Sequence, residues 1–146
     1  MNKSRIGWLK ERLHPNFLHY AVFLKWMLFA CLIGLLVGGV GTLFHYSIGW
    51  ATQLRTAQPW VLWLLPAAGI AIVLLYKVCG MDEDRGTNLV LLAVRANEKI
   101  SVRMAPLVFV ATVLTHLCGG SSGREGAALQ IGGSIASKIG RLLHFD

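Results

Sequence analysis

Apolar residues in this chain gather into two long runs and several short ones, and the two lengths predict different structures. From Trp26 to Trp50, and again from Val61 to Val78, almost every residue is apolar, small or aromatic. Each run is close to the roughly 20 residues that carry a helix across a bilayer. The first contains the step Gly34-Leu35-Leu36-Val37-Gly38, with Gly39, Gly41 and Gly49 beyond it. Small residues so spaced let a second helix approach closely. His45 in the same run reads as a packed or interfacial histidine before a proton carrier. Trp60, Trp63 and Tyr76 stand near the ends of the second run, where aromatic rings meet headgroups. The polar stretch Thr52 to Gln58 predicts a loop between the two, followed by Pro59.

Ahead of the first run, residues 1–24 set Lys3, Arg5, Lys10 and Arg12 among Ile6, Trp8, Leu9, Leu13, Phe17 and Leu18. This mixture predicts a basic amphipathic helix on the cytoplasmic membrane surface, broken near Pro15. The charged patch Met81-Asp82-Glu83-Asp84-Arg85 follows the second run, and the apolar pieces after it are short. Leu89 to Val94 and Met104 to Cys118 fall below a spanning length, and the helical pattern from Gly126 to Leu143 carries Gln130, Ser134, Ser137 and Lys138. Such pieces predict broken or re-entrant helices, which persist at membrane depth only where they line a cavity or are buried in protein. The expected fold is an all-α membrane protein: a cytoplasmic helix over 1–24, then a partial transmembrane domain over 25–146. Nothing after the last segment encloses such a cavity, so the chain reads as part of something larger.

Composition agrees, with 55% hydrophobic and 14% charged residues. The excess of 14 Lys and Arg over 7 Asp and Glu, net charge +7, would suggest nucleic acid in a soluble chain. Here the basic residues sit at the ends of apolar segments, which argues against that partner. Lys and Arg precede the first span, Arg55 alone lies between the spans, and Lys77, Arg85, Arg95, Lys99 and Arg103 follow the second. That bias places the N-terminus inside. Cys31, Cys79 and Cys118 lack metal-ligand spacing; Cys31 and Cys118 read as buried free thiols. No metal and no cofactor is expected.

The chemistry concentrates in Gly119-Gly120-Ser121-Ser122-Gly123-Arg124-Glu125-Gly126. Glycine and serine put free N–H groups at the start of a helix, where unpaired donors and the helix dipole attract anions. Glu125 is either a favourable first-turn residue or, between apolar segments, a functional intramembrane carboxylate. Ionised, it competes with an anion for the same N–H groups; protonated, it loses that pull and swings away. Arg124 either pairs with it or anchors the loop. A second turn, Gly86-Thr87-Asn88, precedes Leu89, and Thr87 or Asn88 there is either an ordinary cap or a donor to an anion. Gly119-Gly120-Ser121-Ser122-Gly123 also fits the G-x-S-x-G elbow, which needs a strand before it, but what precedes it is membrane-apolar and only Glu125, His144 and Asp146 follow as partners. With no Gly-Lys-Ser/Thr it is not a phosphate loop either, and the chain does not read as an enzyme.

At these residues the chain resembles the CLC family, the voltage-gated chloride channels and anion/proton antiporters. Gly123-Arg124-Glu125-Gly126 and Gln130-Ile131-Gly132-Gly133 match the family's Gly-Arg-Glu-Gly-Pro motif and the helix after it, with Ala127 in place of the proline. Gly86-Thr87-Asn88-Leu89-Val90 stands where the family has Gly-Ser-Gly-Ile-Pro, with Thr87 at the anion-coordinating serine. The resemblance implies two broken helices aimed at a central anion, with Gly86, Thr87, Asn88, Gly123, Arg124, Gly126 and Ala127 around it. It implies that Glu125 is the gating, proton-accepting glutamate. It further implies a homodimer in a bacterial inner membrane and the N-terminal part of an inverted-repeat transporter. Loss of the serine and of both prolines is more similar to the branch exchanging fluoride for protons, with chloride second. A passive chloride channel and a truncated, non-transporting fragment are the alternatives.

Overall fold

A computed structural model describes residues 3–81, 86–96 and 100–143. The patch Asp82 to Arg85, Lys99 and the last three residues lie outside it, as do the side chains that would form the amphipathic face before His19. The elements are α1 (Lys3–Ala57), a 3-10 helix (Pro59–Leu64), α2 (Leu65–Val78), α3 (Thr87–Ala96), α4 (Met104–Leu117) and α5 (Arg124–Leu142). Among the described residues, two helical segments are long and apolar enough to cross a membrane, Val22–Ala57 and Pro59–Val78. They are followed by the shorter helices that the interrupted pattern predicts.

The chain divides into two compact units, residues 1–35 and 36–146. The first is helix alone, with Trp26 and Phe29 edge-on at 5.9 Å and Tyr20, Phe23, Leu28 and Leu35 exposed. Two expectations fail here. The helix runs through Pro15 without a break, and Cys31 is exposed, because a lone apolar helix turns its side chains outward, toward lipid in a membrane. Cys118, in the second unit, is buried as expected.

In the second unit the predicted loop from Thr52 is helix up to Ala57. The polar residues are accommodated in the helix by bonding back to it: Thr52 Oγ1 donates to the Ile48 carbonyl at 2.9 Å and Thr56 Oγ1 to that of Gln53 at 2.7 Å. Only Gln58 separates α1 from the 3-10 helix, which Pro59 starts. Two helices then end in the same way. After α2, Gly80 at φ 65° donates to the Lys77 carbonyl and Met81 to that of Tyr76. After α4, Gly119 at φ 86° donates to the His116 carbonyl and Gly120 to that of Thr115. These paired bonds form the Schellman motif, which needs a left-handed residue just past the helix.

α4 packs on α5 and α2, and α3 packs on α5. The core joins Phe44 and Ile48 of α1 to Val90, Met104, Val108, Ala127 and Ile131, with Phe44 and Phe109 at 5.3 Å. In lipid, burial itself drives little association, so closeness of fit matters more. The glycines that provide it differ from those the sequence suggests. A Cβ at Gly38, Gly39, Gly41 or Gly49 of α1 would meet nothing within 4 Å, whereas one at Gly132 would stand 3.2 Å from Val37 and one at Gly133 3.2 Å from Val90. α5 is therefore the helix whose small residues admit its neighbours.

Gly119→Ala should destabilise the protein by about 1–2 kcal/mol through its left-handed backbone. The new methyl would also stand 2.5 Å from Leu62 Cδ2, but Leu62 is exposed and free to turn aside. Thermal unfolding in detergent checks this, and an unchanged midpoint would mean the turn relaxes.

Candidate functional site

The turn that leaves α4 delivers the chain to Gly123, which precedes α5 in an extended conformation and offers no side-chain cap. The first intrahelical bond of α5 runs from Ala127 N–H to the Gly123 carbonyl at 3.2 Å. The N–H groups of Arg124, Glu125 and Gly126 thus precede the helical ladder, as the first donors of any helix do. The other glycine turn arrives beside them. Gly86 adopts φ 59°, α3 starts at Thr87, and Thr87 Oγ1 lies 2.9 Å from where a Cβ on Gly126 would be. One turn further along α5, Gln130 Nε2 lies 3.6 Å from a Cβ position on Gly86. Only glycine at 126 allows this approach, and two turns nearly forty residues apart in sequence become one surface.

Between them lies an open cleft of about 340 Å³. A hydrated ion fits in it without shedding its whole shell. Gly86, Thr87, Gly123, Gly126 and Ala127 line it, together with Ser122 and Gln130. α4 forms the facing wall through Thr112 and Thr115. Apolar surface from Val108, Ala111 and Ala127 and the ring of Tyr76 make up much of the lining, and the threonine and serine hydroxyls and the Gln130 amide are its polar part.

Three predicted residues are not in that lining. Asn88 is exposed. Glu125 and Arg124 line a neighbouring hollow of about 260 Å³ with Gly41, Phe44, His45, Ile48 and Ala128. The first turn of α5 therefore divides its residues, with Gly123, Gly126 and Ala127 on the cleft and Glu125 toward His45. His45 is exposed, its ring 6.0 Å from that of Tyr46. Arg124 takes the loop-anchoring role: its Nε donates to His116 Nε2 at 3.3 Å. His116, buried on the last turn of α4, donates from Nδ1 to the Thr112 carbonyl at 2.9 Å, with Ser122 Oγ 3.4 Å from the same nitrogen.

Residues 68–146, from α2 through both glycine turns to the end, match the family model described as voltage gated chloride channel. The chain belongs to that family. It is an all-helical, integral membrane member. It is also 45% identical over 116 residues to a "Chloride/fluoride channel protein" of Pseudomonas syringae pv. tomato, an alignment covering 79% of this chain and 26% of that relative. The chain thus spans about a quarter of the length of that relative. No solved structure matches it. Within this family member, sequence reading missed Thr112, Thr115 and His116. Their signal was present: they recur at steps of three and four, one face of a helix, inside a run otherwise read as uniformly apolar.

Proposed function

We propose that this chain forms the first filter half of a halide/proton antiporter, fluoride preferred and chloride second, with Glu125 as gate and proton acceptor. The observation that carries the reading is the convergence of the α3 and α5 starts on one hydroxyl-bearing cleft, with a carboxylate on the same first turn. Uncapped N–H groups and the helix dipole favour an anion there. Hydroxyls of Thr87, Thr112 and Ser122 suit a small, strongly hydrated one, while that of Thr115 is given to the Ala111 carbonyl at 2.7 Å. Ionised Glu125 competes for the same donors; after taking a proton it loses that attraction and rests in the hollow beside His45, leaving the cleft to the anion. Anion and proton then occupy the turn alternately, which is exchange. The K/R bias supports a cytoplasmic N-terminus, the bacterial relative supports an inner-membrane location, and the family resemblance supports a homodimer.

Proteoliposomes holding the complete gene product, loaded with fluoride, should take up protons as fluoride leaves. Fluoride efflux with no accompanying proton uptake would favour the second reading, a passive channel, which the printed name of the Pseudomonas relative supports. Efflux of neither halide would sink both.

A further inference from the structure

We propose that His116 is a positioning residue for the gate, holding the Arg124 guanidinium so that it does not pair with Glu125, which lines the same hollow; the inference rests on the gate reading of Glu125. A backbone carbonyl only accepts, so the 2.9 Å contact with the Thr112 carbonyl places the ring hydrogen on Nδ1. Nε2 then carries a lone pair, and it accepts from Arg124 Nε. The tautomer is fixed by a helix carbonyl, and the tautomer is what makes the ring an acceptor. An imidazolium would present N–H to a guanidinium and could not make this bond. His116 is 7% exposed, on the last turn of α4, so the anchor point is held by the helix itself.

Arg124 and Glu125 are adjacent, on the first turn of a helix, and a free guanidinium there is the nearest cation to the carboxylate. Paired with it, Arg124 would keep Glu125 charged and pinned in the hollow that both line, unable to return to the cleft. The side-chain bond that Arg124 makes among the described residues goes instead to His116. Ser122, beside the same ring nitrogen, lines the cleft. One buried ring thereby ties down both the loop and the arginine, leaving Glu125 without the partner that would hold it.

The test uses two variants at this position in two backgrounds, with anion flux and proton uptake measured in proteoliposomes of the complete protein and thermal midpoints in detergent as a check on folding. His116→Leu removes the acceptor, and proton-coupled flux should fall by about tenfold, the size of one ordinary hydrogen bond. His116→Gln, whose Oε1 can accept from Arg124 Nε, should restore most of it. In the Glu125→Gln background, His116→Leu should change anion flux little, since no charge remains for Arg124 to capture. Equal slowing by His116→Leu in both backgrounds, or a glutamine variant as slow as leucine, overturns the latch and leaves the gate standing. Full proton coupling in Glu125→Gln alone overturns the gate, and the latch with it.

Discussion

Glu125→Gln should leave anion flux running while the proton flux that accompanies it falls about 100-fold or more, the scale of losing a positioned proton-transfer group. Glutamine keeps the shape and the hydrogen-bonding capacity of the side chain but never ionises. It therefore neither competes with an anion for the N–H groups of Arg124, Glu125 and Gly126 nor carries a proton between the cleft and the hollow beside His45. The measurement is simultaneous recording of external fluoride and pH from one vesicle suspension. Because Glu125 is exposed and outside the packed core, its replacement should leave the thermal midpoint within about 0.5 kcal/mol of the parent. A variant that unfolds would contradict the placement, and one that still couples would end the gate assignment.

The second large effect is at Gly126, where stability and transport should move apart. Alanine in a helix is worth up to about 1 kcal/mol over glycine, so on propensity alone Gly126→Ala should hold or raise the thermal midpoint. The added methyl, however, would lie 2.9 Å from Thr87 Oγ1, closer than the two groups can rest. Thr87 must turn its hydroxyl elsewhere or α3 must retreat from α5. A hydrogen bond to a charged partner is worth about 1.5–3 kcal/mol, so anion affinity and flux should fall about 10- to 100-fold. Thr87→Val deletes the same hydroxyl without touching the backbone and should match that loss. The double variant should be little worse than either, as expected of neighbours acting through one group. Flux indistinguishable from the parent in Thr87→Val would remove Thr87 from the anion path.

Much of the architecture is legible in the pattern of residues, and the departures have physical causes. The two spanning segments follow from their apolar length, and α4 lies within one residue of the run that predicts it. α1 overruns its predicted end, and its threonine hydroxyls are tolerated there by bonding to helix carbonyls, so polarity alone does not mark a loop. α5 starts at Arg124, two residues earlier than the pattern from Gly126, because Gly123 is the residue in extended conformation before it. Helix endings at Gly80 and Gly119 are also written in the sequence, as glycines just beyond apolar runs. The candidate site is legible as two glycine turns, and their convergence is not, since it depends on which helix faces carry small residues. The α1 glycines have the familiar spacing yet open onto space, while Gly126, Gly132 and Gly133 make the close approaches. The part taken by His116 is hidden for another reason: a histidine in an apolar run carries no mark of the arginine eight residues on that it will hold.

The approach of Thr87 to Gly126 also limits how the proposed ion preference could be re-engineered. A randomised library at position 87 should return folded variants mainly among side chains of threonine's bulk or less, because larger ones meet the backbone of α5 and wedge the two helix starts apart. Losses at leucine or phenylalanine would then report assembly failure and say nothing about ion choice. Glycine, alanine, serine and cysteine at that position form the informative set, each changing the donor while keeping the spacing. Wider diversity belongs on the opposite wall, at Thr112 and Thr115, where the hydroxyls project from a single helix rather than from the seam between two.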